Sequence, residues 1–172
     1  MELQARMNAA FDNYLALSEL LMSDGLMLLD MEQTDVRWQR NFIRTAAALV
    51  EGYSHCFREM ALIGLECDPS EIPKKEREML VTEAHMDTSD RIKLTLRVIY
   101  RMFKFTPMPD FGSENWSNAK LALEKRHALM HPKTVADLEI SPGSWERIHS
   151  GLSWLIEQHF NLIKAAYERH VE

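Results

Sequence analysis

Glycine and proline are scarce in this 172-residue chain, at six of each, and cysteine is rarer still, at two. Cys56 and Cys67 are eleven positions apart in what reads as one helix. A rise of 1.5 Å per residue separates them by about 16 Å, too far for a disulfide. None is needed, because a chain of about 150 residues buries roughly 68–70% of the surface its unfolded form exposes. A reducing cytoplasm is the expected setting. No run of about 18 apolar residues occurs, so a membrane span is not expected. The opening MELQARMNAAFDNYLALSELL carries Glu2 and further charges within its apolar run, unlike a secretory signal. A basic excess is missing too: 20 Lys and Arg against 26 Asp and Glu leave a net charge of −6. Coating nucleic acid through bulk charge is therefore excluded, while a local basic groove is not. Absent as well are a glycine-rich phosphate loop, a GxSxG elbow, CxxC and HExxH, which sets aside the enzyme classes built on them.

What is present is helical periodicity. The prolines fall only at 69, 73, 107, 109, 132 and 142, leaving long stretches free of the strongest helix breaker. The pattern predicts a helix near 3–22, a loose connection through Ser23-Asp24-Gly25 and the 30–35 segment, and a long helix near 35–66. A charged short helix over 74–85 follows. Asp87-Thr88-Ser89-Asp90 then caps a helix with Ile92, Leu96, Ile99 and Phe103 on one face. Further helices start near Ser113, running to Met130, and at Ser144. Strict polar–apolar alternation is nowhere sustained. The expected fold is all-α, an up-and-down bundle of about five helices in a single domain over 1–172. In the long helix Val36, Ile43, Val50 and Phe57 recur every seven residues, and Arg44, Glu51, His55 and Arg58 share a polar strip.

The chemistry concentrates between the last two helices, in Glu124-Lys125-Arg126-His127-Ala128-Leu129-Met130-His131-Pro132-Lys133. Arg126 and His131 form an R-x4-H pair. Five steps of about 100° would set them roughly 140° apart on an unbroken helix. Pro132, however, disfavours the α region for His131, so the ring sits where the helix ends and can converge with the guanidinium on one groove. Such a pair suits RNA phosphodiester cleavage: an imidazole moves protons near neutral pH, and arginine's planar fork grips phosphate oxygens. The ribose 2′-hydroxyl supplies the nucleophile, no metal or other cofactor is called for, and the product is a 2′,3′-cyclic phosphate. Spacing alone is weak, since twelve arginines and seven histidines give about 0.5 such pairs by chance.

In its all-α pattern and in Arg126-His127-Ala128-Leu129-Met130-His131, the chain resembles the HEPN domains (higher eukaryotes and prokaryotes nucleotide-binding), helical bundles with an R-x4–6-H motif. The resemblance covers residues 35–170 as architecture and only this hexapeptide as motif. It implies a metal-independent ribonuclease that dimerises so that two R…H pairs face one cleft. Phosphate contact would then fall to Arg126 and acid–base work to His131. Glu51 is the candidate acidic residue that orients the arginine, with His127, Lys133, His55 and Arg44 as substrate-binding candidates. The partners implied are RNA, a second copy of the chain, and an antitoxin or regulatory protein, in a toxin–antitoxin, phage-defence or RNA-processing setting. Two departures stand out: His127 occupies a position that is often asparagine, and Lys133 replaces the tyrosine of members controlled by nucleotidylation. The homodimer would need apolar surface beside the motif, for which Met130, Trp116 and Trp145 are candidates.

Other readings compete. Cations at a helix C-terminus complement its dipole by about 0.3–1 kcal/mol each, so the segment can be read as a cap on a non-catalytic helical dimerisation or interaction module. Glu124, His127 and His131, with a second Glu-x-x-His at Glu146 and His149, also suggest a metal-binding bundle. His159 reads as a core histidine, Cys56 and Cys67 as buried thiols, and the eleven methionines as core filler.

Overall fold

Capping chemistry sets several helix boundaries in the computed structural model, which describes residues 2–29, 34–82 and 86–171, with side chains described except at 29 and from 166 on. The elements are α1 (Glu2–Leu29), α2 (Val36–Cys67), α3 (Lys74–Thr82), α4 (Thr88–Met102), α5 (Glu114–Met130), a 3-10 turn (Val135–Leu138) and α6 (Pro142–Val171). No strand occurs among the described residues, and the fold is all-α as the periodicity predicts.

Asp87 caps α4, its carboxylate accepting the Asp90 N–H at 2.8 Å, and the Ser113 hydroxyl accepts the Trp116 N–H to open α5. Ser141 does the same for α6, taking the Ser144 N–H with Pro142 at the first helical position, where a missing N–H is harmless. At its other end α4 closes with a Schellman motif: the Phe105 N–H reaches Tyr100 O, the Lys104 N–H reaches Arg101 O, and Lys104 takes a φ of 54°. The rings of Tyr100 and Phe105 meet edge-on at 6.1 Å, supplying the apolar contact that accompanies this ending.

One boundary differs from expectation. Helix α1 does not stop at residue 22 but runs through Ser23-Asp24-Gly25 to Leu29. An interior glycine destabilises a helix by only roughly 0.5–1 kcal/mol relative to alanine, and apolar Leu26, Met27 and Leu28 follow at once. Parts of two expected features, the connection at 30–33 and the end of the short helix at 83–85, lie outside the described residues.

The chain divides into two compact units. The first contains residues Met1–Leu17, Glu51–Pro109 and Gln158–Glu172. Its core includes an aromatic set in which Tyr14 meets Tyr53 at 4.9 Å and Phe57 at 5.5 Å, while His159 stacks on Phe57 at 5.6 Å. His159 is fully buried, as expected of a core histidine. Leu80, Ile92, Leu96 and Ile99 are buried in the same unit. Glu76 of α3 pairs with Arg97 at 2.7 Å and with Arg101, tying α3 to α4.

The second unit contains Ser18–Val50 and Asp110–Glu157. Its core joins Ile43, Ala46 and Ala47 of α2, Ala122 and Leu129 of α5, and Ile140, Ile148 and Leu152. Val36, first in the expected heptad series, is exposed at the start of α2, whereas Ile43 and Val50 are fully buried. Helix α6 approaches α5 so closely at Gly151 that a Cβ there would overlap the backbone of Asn118 and Ala119. Asn118 is itself buried, its Oδ1 accepting the Arg147 Nε–H at 2.9 Å.

Two of the helical glycines, Gly151 and Gly25, should therefore respond oppositely to alanine. Gly151→Ala forces backbone apart and is expected to lower stability by about 1–3 kcal/mol in urea unfolding. Gly25→Ala meets nothing within 4 Å and should raise stability by up to about 1 kcal/mol.

Candidate functional site

The last turn of α5 is shaped by Pro132. His131 is the C-cap, with φ −131° and ψ 57°, outside the α region as expected before proline. Its N–H still closes onto His127 O at 3.0 Å, so the ring lies just beyond a complete helical turn. The imidazoles of His127 and His131 are 5.2 Å apart between centroids, tilted by 55°, and both residues are exposed. Arg126, one position before His127, is half-buried.

A helix end leaves carbonyls without intrahelical donors. Here Arg44 of α2 reaches across, its Nη2–H donating to Leu129 O at 3.0 Å. Arg44, a substrate-binding candidate from the sequence, is thus engaged in closing α5. Lys125 Nζ donates to Asp137 O at 2.8 Å and Glu139 O at 2.6 Å, anchoring the following 3-10 turn to α5. Burial pushes the Lys125 ammonium below its ordinary value, against the opposing pull of Asp137 and Glu139.

Asp137 shapes the segment after the histidines, and the sequence reading missed it. Its Oδ2 accepts the N–H groups of Lys133 at 2.8 Å and Thr134 at 2.7 Å, and the Thr134 hydroxyl at 3.1 Å. The backbone N–H of Lys133, then that of Thr134, holds the Asp137 carboxyl below the usual aspartate range. The spacing Thr134-x-x-Asp137 is a capping-box pattern and was available as a signal. Lys133 itself is exposed, two residues after His131.

Glu51 and His55 belong to the first unit, where with Arg58 they line a polar cleft against α4. Of the proposed dimer-surface residues, Trp116 is 4% exposed, enclosed by Phe111 at 5.1 Å and Trp154 at 6.2 Å, and cannot serve. Trp145 is half-buried against Trp38 and Phe42. Met130 is 48% exposed. Cys56 is buried, its thiol raised by desolvation, but Cys67 is exposed, contrary to expectation. Among the described residues no three His, Cys, Asp or Glu side chains gather as a metal-holding group, so Glu124, His127 and His131 do not form one. His149 instead lies 5.3 Å from the rings of both Phe42 and Trp145.

No helix among the described residues is long and apolar enough to cross a membrane. No family model, no curated protein and no solved structure matches the chain. The likeness to HEPN domains rests on the R-x4-H segment and the all-α fold.

The lowered Asp137 carboxyl gives a pH signature. Its hydrogen bonds contribute stability fully above the ordinary aspartate value, and that contribution is lost as pH falls through the depressed one. The amide proton shifts of Lys133 and Thr134 should follow one acid titration, with a midpoint below the usual aspartate range. In Asp137→Asn that titration should vanish, and both amides should exchange faster at neutral pH.

Proposed function

We propose that this chain is a HEPN-like RNA-binding protein that acts as a metal-independent endoribonuclease through Arg126 and His131. The observation that carries the reading is the exposed imidazole pair at the end of α5, with Arg126 in the same turn and His131 released from helical geometry. Two neighbouring imidazoles supply both halves of the proton chemistry. One takes the 2′-hydroxyl proton as the 2′-oxygen bonds to phosphorus, and the other protonates the 5′-oxygen as its bond to phosphorus breaks. The products are a 2′,3′-cyclic phosphate and a 5′-hydroxyl. The Arg126 guanidinium answers the charge that develops on the phosphorane oxygens, and Lys133 adds a contact to a neighbouring phosphate. A second copy would bring a second Arg126–His131 pair to the same cleft, with Met130 covered between the two.

A second reading, a non-catalytic helical interaction module, draws on the exposed apolar side chains of Met130, between the two histidines in sequence, and Val135, four residues after the second.

The deciding experiment is cleavage of end-labelled single-stranded RNA in excess EDTA by the wild type, His131→Ala and Arg126→Ala. General acid–base catalysis contributes about 10²–10⁴-fold, so His131→Ala should lower the rate by that factor while the protein stays folded. Cyclic-phosphate ends from the wild type are expected. Absence of cleavage across several RNAs, or cleavage undiminished in His131→Ala, would assign the segment to the interaction module. Light scattering at micromolar concentration should find a dimer; a monomer removes the two-fold site.

A further inference from the structure

Three sulfur-bearing side chains, one from each of three helices, line a pocket of about 350 Å³ in the first unit that the ribonuclease chemistry does not use: Met7 of α1, Cys67 of α2 and Met102 of α4. Cys67 is a free, exposed thiol at the last position of α2, and both methionines are half-buried. We propose that this pocket binds a soft monovalent cation, copper(I), through the Cys67 thiolate and the thioethers of Met7 and Met102.

Helix packing brings these residues together from distant parts of the chain. Arg6 donates to both carboxylate oxygens of Glu66 at 2.7 Å, joining α1 to the last turn of α2 and setting their chain neighbours Met7 and Cys67 at the same junction. Met102 is the last residue of α4, and its Sδ rests so closely on Gly64 of α2 that a Cβ there would overlap it. A glycine at 64 thus leaves open the seat that the thioether takes. Cys67 follows Gly64 by three residues, so the two share a helix face. Helical side chains lean toward the N-terminus, which carries the Cys67 thiol back over the turn where Met102 is seated.

The donor set selects the ion. Thiolate and thioether are soft ligands, and together they favour copper(I). Zinc draws its ligands from thiolate, imidazole and carboxylate, and no group of three such side chains forms among the described residues. Magnesium and calcium need about six or more oxygens. The pocket wall carries two carboxylates, and both are engaged: Asp68 Oδ1 accepts the Ser70 N–H at 2.9 Å, and Glu71 pairs with Lys104 at 3.1 Å. Binding breaks the S–H bond of Cys67, forms an S–Cu bond and releases the proton to solvent, with no change of oxidation state. One thiolate charge then balances the single charge of the ion.

Anaerobic titration of the full chain with copper(I), in competition with the chelator bicinchoninate, tests this. One equivalent should bind, with a thiolate-to-copper charge-transfer band in the ultraviolet. Cys67→Ser, at an exposed position, should abolish the band although Cys56 remains. Met7→Leu and Met102→Leu conserve side-chain volume, and unchanged helical circular dichroism checks that both fold. Each should weaken binding by about tenfold or more, the scale on which even the outer-shell partners of a metal act. No competition with bicinchoninate, a band retained in Cys67→Ser, or displacement by equimolar zinc overturns the assignment. So does binding unchanged in both leucine variants, which would mark an isolated reactive thiol. Copper binding is scored on the three sulfurs and cleavage on His131 in excess EDTA, so the failure of one leaves the other standing.

Discussion

A helix must end where its carbonyls stop finding N–H groups, and in this chain Pro132 forces that ending directly after His131. Proline has no N–H to donate, and its ring disfavours the α conformation in the residue before it. The arrangement around the candidate site follows. The carbonyl of Leu129 takes its donor from Arg44 on another helix. Lys125 binds the carbonyls of Asp137 and Glu139, and Asp137 gathers the N–H groups of Lys133 and Thr134. Each bond answers a backbone group that the interrupted helix or the turn after it would otherwise leave without a partner.

This division of labour bears on how the basic run is read. A helix-cap account explains Arg44 and Lys125, whose hydrogen bonds run to backbone oxygens. It explains the histidines less well. The closing bond at His131 uses its backbone N–H, which any residue but proline would supply, and the two imidazoles lie beside one another at the surface. Closing a helix calls for one well-placed donor, whereas two adjacent titratable rings offer both a base and an acid for proton transfer.

How much of this was legible in the sequence depended on how local the determining physics was. Asp87 and Ser113 announce their helices because a cap needs only a side-chain oxygen and an N–H three residues on. The displacement of His131 followed from a nearest-neighbour effect of Pro132. Helix α1 was harder, because Ser23-Asp24-Gly25 is a turn signal whose modest helical penalty is outweighed by the apolar residues on both sides. Trp116 was misplaced because α5 lacks a clean apolar face: Asn118 is buried on it beside Ala119, satisfied by Arg147 from a distant part of the chain. The polar strip of α2 was recognised as a strip. Its residues nevertheless serve different neighbours, because one long helix contributes Arg44 to one unit and Glu51, His55 and Arg58 to the other.

The charge distribution constrains the proposed site. With a net charge of −6, the chain's overall field repels a polyanion at long range, so steering gives no assistance and recognition must rely on short-range contacts. At distances shorter than the Debye length of about 8 Å, the local cations outweigh that background. Arg126 and Lys133 lie within two residues of His127 and His131, respectively, in sequence, while the Asp137 carboxylate is engaged by the N–H groups of Lys133 and Thr134. An acidic protein built this way discriminates by geometry rather than by bulk attraction. Under the proposed reading, phosphate would be engaged only where a guanidinium meets it at hydrogen-bond distance.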